Sequence, residues 1–411
     1  MKNSASKITC FLLFLTTALL FIACTPNPVP VPPPPDPSWD GHRIKPNGTQ
    51  EQLNKNVRDK YDAYKARFLK PAANGKYYIE ATGNGEGGET AVTISEAHGY
   101  GMMIFALMAD QDADARKYFD GMNALRKAQR STGNPDLMSW IVIDPNSNGI
   151  ATEASATDGD LDNAYALLLA HKKWGDNKYL EDAKILIDAI KKSSMHQKKL
   201  RTALGDWNQD WGNRWTDTKG YPTRSSDWMP GHFRAFAKAT NDNFWNQVAD
   251  NVYNTLIPEV ANKITGLLPC FGTDTPLKPD PKGGETGEEN ADKYWWNACR
   301  DPWRLATDYI HHKTPAAQVH INKISSWLIE EQGIDNINNG YELDGTPIGS
   351  WKGDMAFVAP FAAGMIADSS NQASLNSIYK QIVNENGANV YGAAIQLLCM
   401  LLITDNWDAP N

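Results

Sequence analysis

The chain has 411 residues, 41% of them hydrophobic, and carries a net charge of −8 with a pI near 5.5. That length can bury a large core, as one big domain or as two or three smaller ones. The acidic balance, with no Lys/Arg-rich run outside the N-terminus, argues against a nucleic-acid binder, which must neutralise phosphates. The 14 Trp and 15 Tyr point elsewhere: flat aromatic faces suit stacking on sugar rings, although each single Trp is as readily core.

Residues 1–24 are set apart from the fold. Lys2 and Lys7 precede the apolar run FLLFLTTALLFIA, which is short for a membrane span and fits the core of a signal peptide. The run ends at Ala23–Cys24, which resembles a bacterial lipoprotein signal in which the Cys is lipidated after cleavage. The alternatives are an ordinary secretory signal and an uncleaved anchor. Cys270, Cys299 and Cys399 are then the cysteines of the folded part, too few and too widely spaced for a disulfide framework or a C-x-x-C metal site. No structural metal is expected. Residues 25–48 form a Pro-rich linker, since TPNPVPVPPPPDPSW lacks backbone donors and favours extended polyproline II.

From residue 49 to 411 the pattern is helical. Apolar spacing predicts about twelve helices, starting near residues 51, 95, 112, 158, 177, 227, 242, 300, 315, 354, 371 and 390. Twelve helices suggest six hairpins. In the one from Asp158, the residues Leu161, Ala164, Tyr165 and Leu168 share one face. Long Trp-, Asn- and Gly-rich loops at 131–157, 199–226 and 265–299 interrupt the rhythm, and loops of that length in an all-α domain are usually functional or disordered. Periodicity supports an all-α domain with long rim loops; it does not by itself close the helices into a ring.

Two helix starts carry concentrated polar groups. In TISEAHGYGM, Ser95 can cap the helix and Glu96 then sits in its first turn, where the helix dipole favours a carboxylate. A general acid at that position needs desolvation or a second carboxylate to hold its proton. In ATDGDLDNAYALLLAHKKW, Asp158, Asp160 and Asp162 crowd the start of a helix. They read as a cap plus dipole-favoured acids, and less well as a calcium loop, because the spacing runs into helix rather than into a Gly turn.

These two segments, with NACRDPWRLATDY (297–309) and LDGTPIGSWKGDMAFVAPF (343–361), resemble glycoside hydrolase family 8 from about residue 50 to the C-terminus. Asn163 departs from the usual Ile or Met in the second signature. The resemblance implies an (α/α)6 barrel of six helical hairpins and a cofactor-free, inverting, endo-acting hydrolase of β-1,4-linked or mixed-linkage glycans. The expected glycan is of the β-glucan, lichenan or cellulose type, with chitosan as a further candidate; endo-xylanase activity and a catalytically impaired sugar-binding lipoprotein are the alternatives. A terpenoid-cyclase-like toroid is a third class, which would want metal-binding acid clusters. The expected partner is a polysaccharide, with no nucleic acid, a monomeric state, and membrane attachment only through the lipid on Cys24.

Inversion needs two carboxyl groups roughly 6.5–9.5 Å apart with a water between one of them and the sugar. By resemblance Glu96 is the general acid, and Asp158 is the carboxylate that contacts the sugar at the cleavage subsite. The base is harder to place. Where much of the family has Asp in an Asp-Ala-x-Arg run, this chain reads Asn297-Ala298-Cys299-Arg300. An amide cannot serve as base, although Asn297 can orient water or sugar.

The branch with Asn there takes a Glu from the preceding loop. Here KGGETGEENADKYWWNACR offers Glu285, Glu288 and Glu289, with Glu288 matching best and Asp301 as the remaining alternative. These acids also fit a solvated, mobile charge cluster. The run TRSSDWM points to the same branch, with Arg224, Asp227 and Trp228 shaping a subsite and Ser226 or Asp227 capping the next helix. Trp207, Trp211, Trp215, Trp295 and Trp296 are candidate stacking platforms, and Tyr100 and Arg300 complete the expected substrate-contacting set.

Overall fold

The structure is a computed structural model that describes residues 43–82, 91–150, 153–207 and 222–410. The leader, Cys24, most of the Pro-rich segment, Trp211 and Trp215 lie outside the described residues. Thirteen helices follow one another: α1 (Gln50–Phe68), α2 (Ser95–Leu107), α3 (Ala115–Ala128), α4 (Thr157–Trp174), α5 (Asn177–Ser193), α6 (Pro230–Thr240), α7 (Phe244–Asn251), α8 (Ile257–Val260), α9 (Asp301–His312), α10 (Pro315–Trp327), α11 (Met355–Gly364), α12 (Gln372–Asn384) and α13 (Val390–Ile403). A π-turn, Val252–Leu256, joins α7 to the short α8, so these two make one rod and the described rods number twelve.

The rods alternate between two rings. Helices α2, α4, α6, α9, α11 and α13 touch in that order and close back onto α2, while α1, α3, α5, α7, α10 and α12 pack outside them. This is an (α/α)6 barrel. The inner helices are wrapped by neighbours on every side, which explains why α4 is buried from Thr157 to Ala170 rather than along the single stripe that Leu161, Ala164, Tyr165 and Leu168 outline. Outer helices keep the stripe; α5, for example, buries Tyr179, Ala183, Leu186, Ile187 and Ile190 and leaves Lys184 and Asp188 to solvent.

Local chemistry sets the ends of the rods. Thr49 and Gln52 form a reciprocal capping box on α1, and Asp176, Asp354 and Asn389 cap α5, α11 and α13 with their side chains. Gly175, Asn241 and Lys313 end α4, α6 and α9 in the left-handed conformation. The folded domain starts a little earlier than 49: Ile44 N–H donates to Ile366 O at 2.8 Å, and both Arg43 and Lys45 pair with Asp405. Cys270, Cys299 and Cys399 are buried free thiols.

Every inner helix begins at the same rim, because each runs back from it and returns through an outer partner. Glu96, Asp158, Arg300, Asp354 and Tyr391 all sit at such starts. That rim also receives the long connections. A three-stranded sheet lies there, with strand Phe271–Thr273 paired antiparallel to Thr223–Arg224 on one side and to Lys278–Pro279 on the other.

Candidate active site

The site starts with an unusually close helix crossing. A Cβ on Gly159 would lie 2.3 Å from Ser95 Oγ and 2.6 Å from the Ser95 carbonyl carbon, and one on Gly99 would lie 2.8 Å from Asp162 Cβ. Only glycine at both positions lets α2 and α4 approach so far, and the approach sets Glu96 against Asp158. Ser95 is therefore spent on packing: Ile94 is the N-cap of α2, and the Ser95 hydroxyl is buried without a hydrogen-bond partner among the described residues. Glu96 is 7% exposed and Asp158 2%.

Arg300 ties these carboxyls together. Its Nη1 donates to Glu96 Oε2 and to Asp158 Oδ2, each at 2.9 Å, and lies 3.2 Å from the Tyr100 hydroxyl. Its Nη2 reaches Asn297 Oδ1 at 3.2 Å. Arg224 Nη1 also donates to Asp158 Oδ2, at 2.9 Å. Burial pushes the Asp158 carboxyl up, but the charges of Arg224 and Arg300 outweigh it and hold the group well below the usual carboxylate range. Asp158 is the fixed anion of the site.

One turn further along α4 and α9 the pattern repeats. Arg304 grips Asp162 through two bonds, Nη1 to Oδ1 at 2.8 Å and Nη2 to Oδ2 at 2.6 Å. His232 Nε2 contacts Asp162 Oδ1 at 2.9 Å, and its ring stacks on Tyr165 at 3.8 Å. Asp158 and Asp162 are spaced i, i+4, as are Arg300 and Arg304, so one face of α4 meets one face of α9 as a ladder. The ladder is invisible in sequence until the ring closes, although the matched spacing was its signal.

Two further acids lie beneath the floor. Asp227 is fully buried, neither carboxyl oxygen has a hydrogen-bond partner among the described residues, and Arg224 Nη1 is 3.7 Å from Oδ1. Burial raises it to about 7 against the pull of Arg224, with Asp158 adding to the rise. It caps nothing: α6 begins at Pro230 after Met229, and Ser225–Asp227 form a 3-10 turn, so neither Ser226 nor Asp227 serves as the expected cap. Asp301 takes a 2.8 Å bond from Ser225 Oγ and is raised by burial well above a normal carboxylate. An Asp301 sealed in the core is poorly placed to take a proton from water.

The acidic loop is ordered around one residue. Asp280 is fully buried, and its carboxylate accepts Glu285 N–H at 2.9 Å, Thr286 N–H at 2.9 Å and Thr286 Oγ1–H at 2.7 Å. Asp280 follows the strand whose neighbour pairs with Arg224, so the sheet connects the Asp158 side of the cleft to this loop. Glu285, Glu288 and Glu289 are exposed. Glu289 pairs with Lys282 at 2.6 Å, whereas among the described residues the Glu285 and Glu288 carboxylates hold no hydrogen bond or ion pair. The Asp280 anchor was missed in sequence, where Asp280 reads as an ordinary loop acid.

The expected substrate-contacting residues divide by depth. Arg224, Trp296 and Asn297 are partly open, whereas Tyr100, Asp227, Trp228 and Arg300 are buried. Trp228, expected to help shape a subsite with Arg224 and Asp227, lies in the core: it is 2% exposed and its indole N–H donates to Thr223 Oγ1 at 2.9 Å. Trp296 packs edge-on to Phe357 at 5.0 Å. Tyr391, unforeseen, donates to Trp296 O and lies under the Arg300 guanidinium at 5.8 Å.

The family model for glycosyl hydrolases family 8 matches residues 50–405. The chain belongs to glycosyl hydrolases family 8. Among family 8 relatives, a beta-glucanase from Niallia circulans is 37% identical over 98% of this chain and 97% of its own length. An endoglucanase from Bacillus sp. (strain KSM-330) is 37% identical over 89% and 80%. The apo beta-1,3-1,4-glucanase of Paenibacillus sp. X4 superposes with a TM-score of 0.80 at 37% identity, covering 90% of this chain and 96% of that one. Rex8A from Paenibacillus barcinonensis, solved with xylose, shares the fold at a TM-score of 0.70 and 18% identity, covering 87% and 94%.

Proposed function

We propose that the protein is an inverting, endo-acting β-glucanase that cuts β-1,4 bonds in β-glucans of the lichenan, mixed-linkage or cellulose type, with Glu96 as general acid. The observation that carries this reading is that Arg300 Nη1 holds Glu96 Oε2 and Asp158 Oδ2 together, each at 2.9 Å, while Arg224 adds a second guanidinium to Asp158. Both carboxyls rest on the same guanidinium nitrogen, so the two acids are close neighbours and a proton on one of them relieves the repulsion of a second negative charge. With Asp158 fixed as the anion, Glu96 is the member of the pair assigned the proton, which it hands to the departing glycosidic oxygen. Asp158 then steadies the positive charge that develops on the sugar, while Arg300 fixes the orientation of the acid.

The base is a loop Glu. Glu288 fits best by its match to the branch pattern; its carboxylate, like that of Glu285, is unengaged in a loop fixed on Asp280, while Glu289 pairs with Lys282. The relatives at 37% identity named as glucanases support a glucan over xylan or chitosan. The leader supports attachment by lipid on Cys24 at the outer side of a bacterial membrane, with the barrel acting as a monomer. Assay of the purified protein on barley β-glucan, carboxymethyl cellulose, chitosan and xylan tests the substrate. Fast loss of viscosity on β-glucan with few new reducing ends is expected; activity on chitosan or xylan alone contradicts the reading.

A further inference from the structure

Trp351 is 74% exposed, and among the described residues no other aromatic side chain is as open. A tryptophan left in water is a large apolar face without a partner. Its place in the barrel is specific. Trp351 lies three residues before Asp354, the cap of α11, and therefore on the rim where all the inner helices begin.

The segment that presents it is rigid. Asn339 N–H donates to Trp351 O at 2.8 Å, Gly353 N–H to Ile337 O at 2.9 Å, and Asn338 Nδ2 to the carbonyls of Ile348 and Gly349. Asp354 N–H is held by Asn339 Oδ1 at 3.0 Å. The hairpin is joined to the cleft wall, because Tyr341 and Tyr294 exchange backbone bonds of 2.9 and 3.0 Å. Gly340 has φ +138°, and a Cβ there would lie 2.0 Å from Trp295 Cε3, so glycine is needed for the hairpin to lie on that ring. From Asn297 outward the wall thus runs Trp296, Trp295, Gly340 and then the hairpin bearing Trp351.

We infer that Trp351 is an outer stacking platform, which binds a β-glucan chain beyond the cleavage site where it leaves the cleft between α9 and α11. This rests on the glucanase reading. A sugar ring offers a flat C–H face that matches an indole, and a ring fixed on a braced hairpin loses little freedom on binding.

The test compares the full protein with Trp351→Ala and Trp351→Phe on soluble barley β-glucan and on a short glucan oligosaccharide. Affinity electrophoresis in β-glucan gels, in a Glu96→Gln background, reads binding directly. The Ala variant is expected to raise KM and weaken gel retention for the polymer about ten-fold, with the oligosaccharide reaction unaffected and Phe restoring most of the loss. Unchanged polymer KM and retention in the Ala variant would overturn the platform, as would equal losses on polymer and oligosaccharide. A wild-type protein inactive on every glucan defeats the glucanase reading instead, so the two failures are distinguishable.

Discussion

Asp158 on α4 and Arg300 at the start of α9 meet at 2.9 Å across the inner ring, one turn from the matching pair Asp162–Arg304. The two rungs lock the helices in one register. Because Arg300 Nη1 also binds Glu96, that register decides where the acid points. Removing one partner of a buried ion pair typically costs about 3–5 kcal/mol, because the other charge stays buried and alone. Function and stability thus share the same side chains.

Glu96→Gln should keep the fold and the grip on β-glucan while cutting kcat by about 10²–10⁴-fold, the usual worth of a general acid. Steady-state kinetics on unactivated barley β-glucan, with gel retention as the binding control, checks this. A near-normal rate would remove Glu96 from the role.

Among the loop acids, Glu288→Gln should lose kcat by about 10²–10⁴-fold, and azide should partly rescue Glu288→Ala. Glu289→Gln, which gives up only a solvent-exposed pair with Lys282, should remain active. Asp280→Ala should lower kcat more than it raises KM, since the loop loses three bonds although Asp280 touches no substrate; Asp280→Asn should retain part of the activity. Full activity in the Gln variants of Glu285, Glu288 and Glu289 would return Asp301 to consideration.

Gly159→Ala tests the crossing of α2 and α4. The added methyl meets the Ser95 backbone, so the helices must part, at a cost of about 1–3 kcal/mol. A lower Tm together with a lower kcat is expected, because Glu96 and Asp158 are each one residue from the contact. Wild-type values for both would contradict the packing argument.

Asp227 gives the stability a pH dependence. An unfolded Asp titrates near 3.9, whereas burial raises folded Asp227 to about 7. Below about pH 4 both states hold the proton. From there to about pH 7 the unfolded chain has already released it, so raising the pH favours unfolding by up to roughly 4 kcal/mol in all, about three pH units at ~1.4 kcal/mol each. Asp158, held low, contributes stability that is lost only in strong acid. Asp227→Asn should therefore gain on the wild type between about pH 4 and pH 8 in denaturant titrations. Identical pH dependence for the two proteins would contradict this.

Much of the fold was legible because start signals are local. Asp176 before α5 and Pro315 opening α10 place those helices at the expected residues. Where the expectation slips, a side chain is used elsewhere: α3 begins at Ala115 rather than near 112, because Asp112 binds Lys65, the Tyr61 hydroxyl and Asp114 N–H. The α6 start moves to Pro230 because Ser225–Asp227 turn first and the proline sets the opening dihedral. In the site, Glu96 and Asp158 could be picked out from their motifs. The Asp162–Arg304 rung and the Asp280 anchor could not, since each depends on a neighbour far away in the chain or on the path of a loop.

The most direct test of the central claim is the stereochemistry of the first product. Proton NMR during hydrolysis of barley β-glucan by the wild-type protein reads the new reducing end before mutarotation. Inversion at a β-linkage with Glu96 as acid predicts the α-anomer first, relaxing later to the equilibrium mixture. Initial release of the β-anomer would contradict the account.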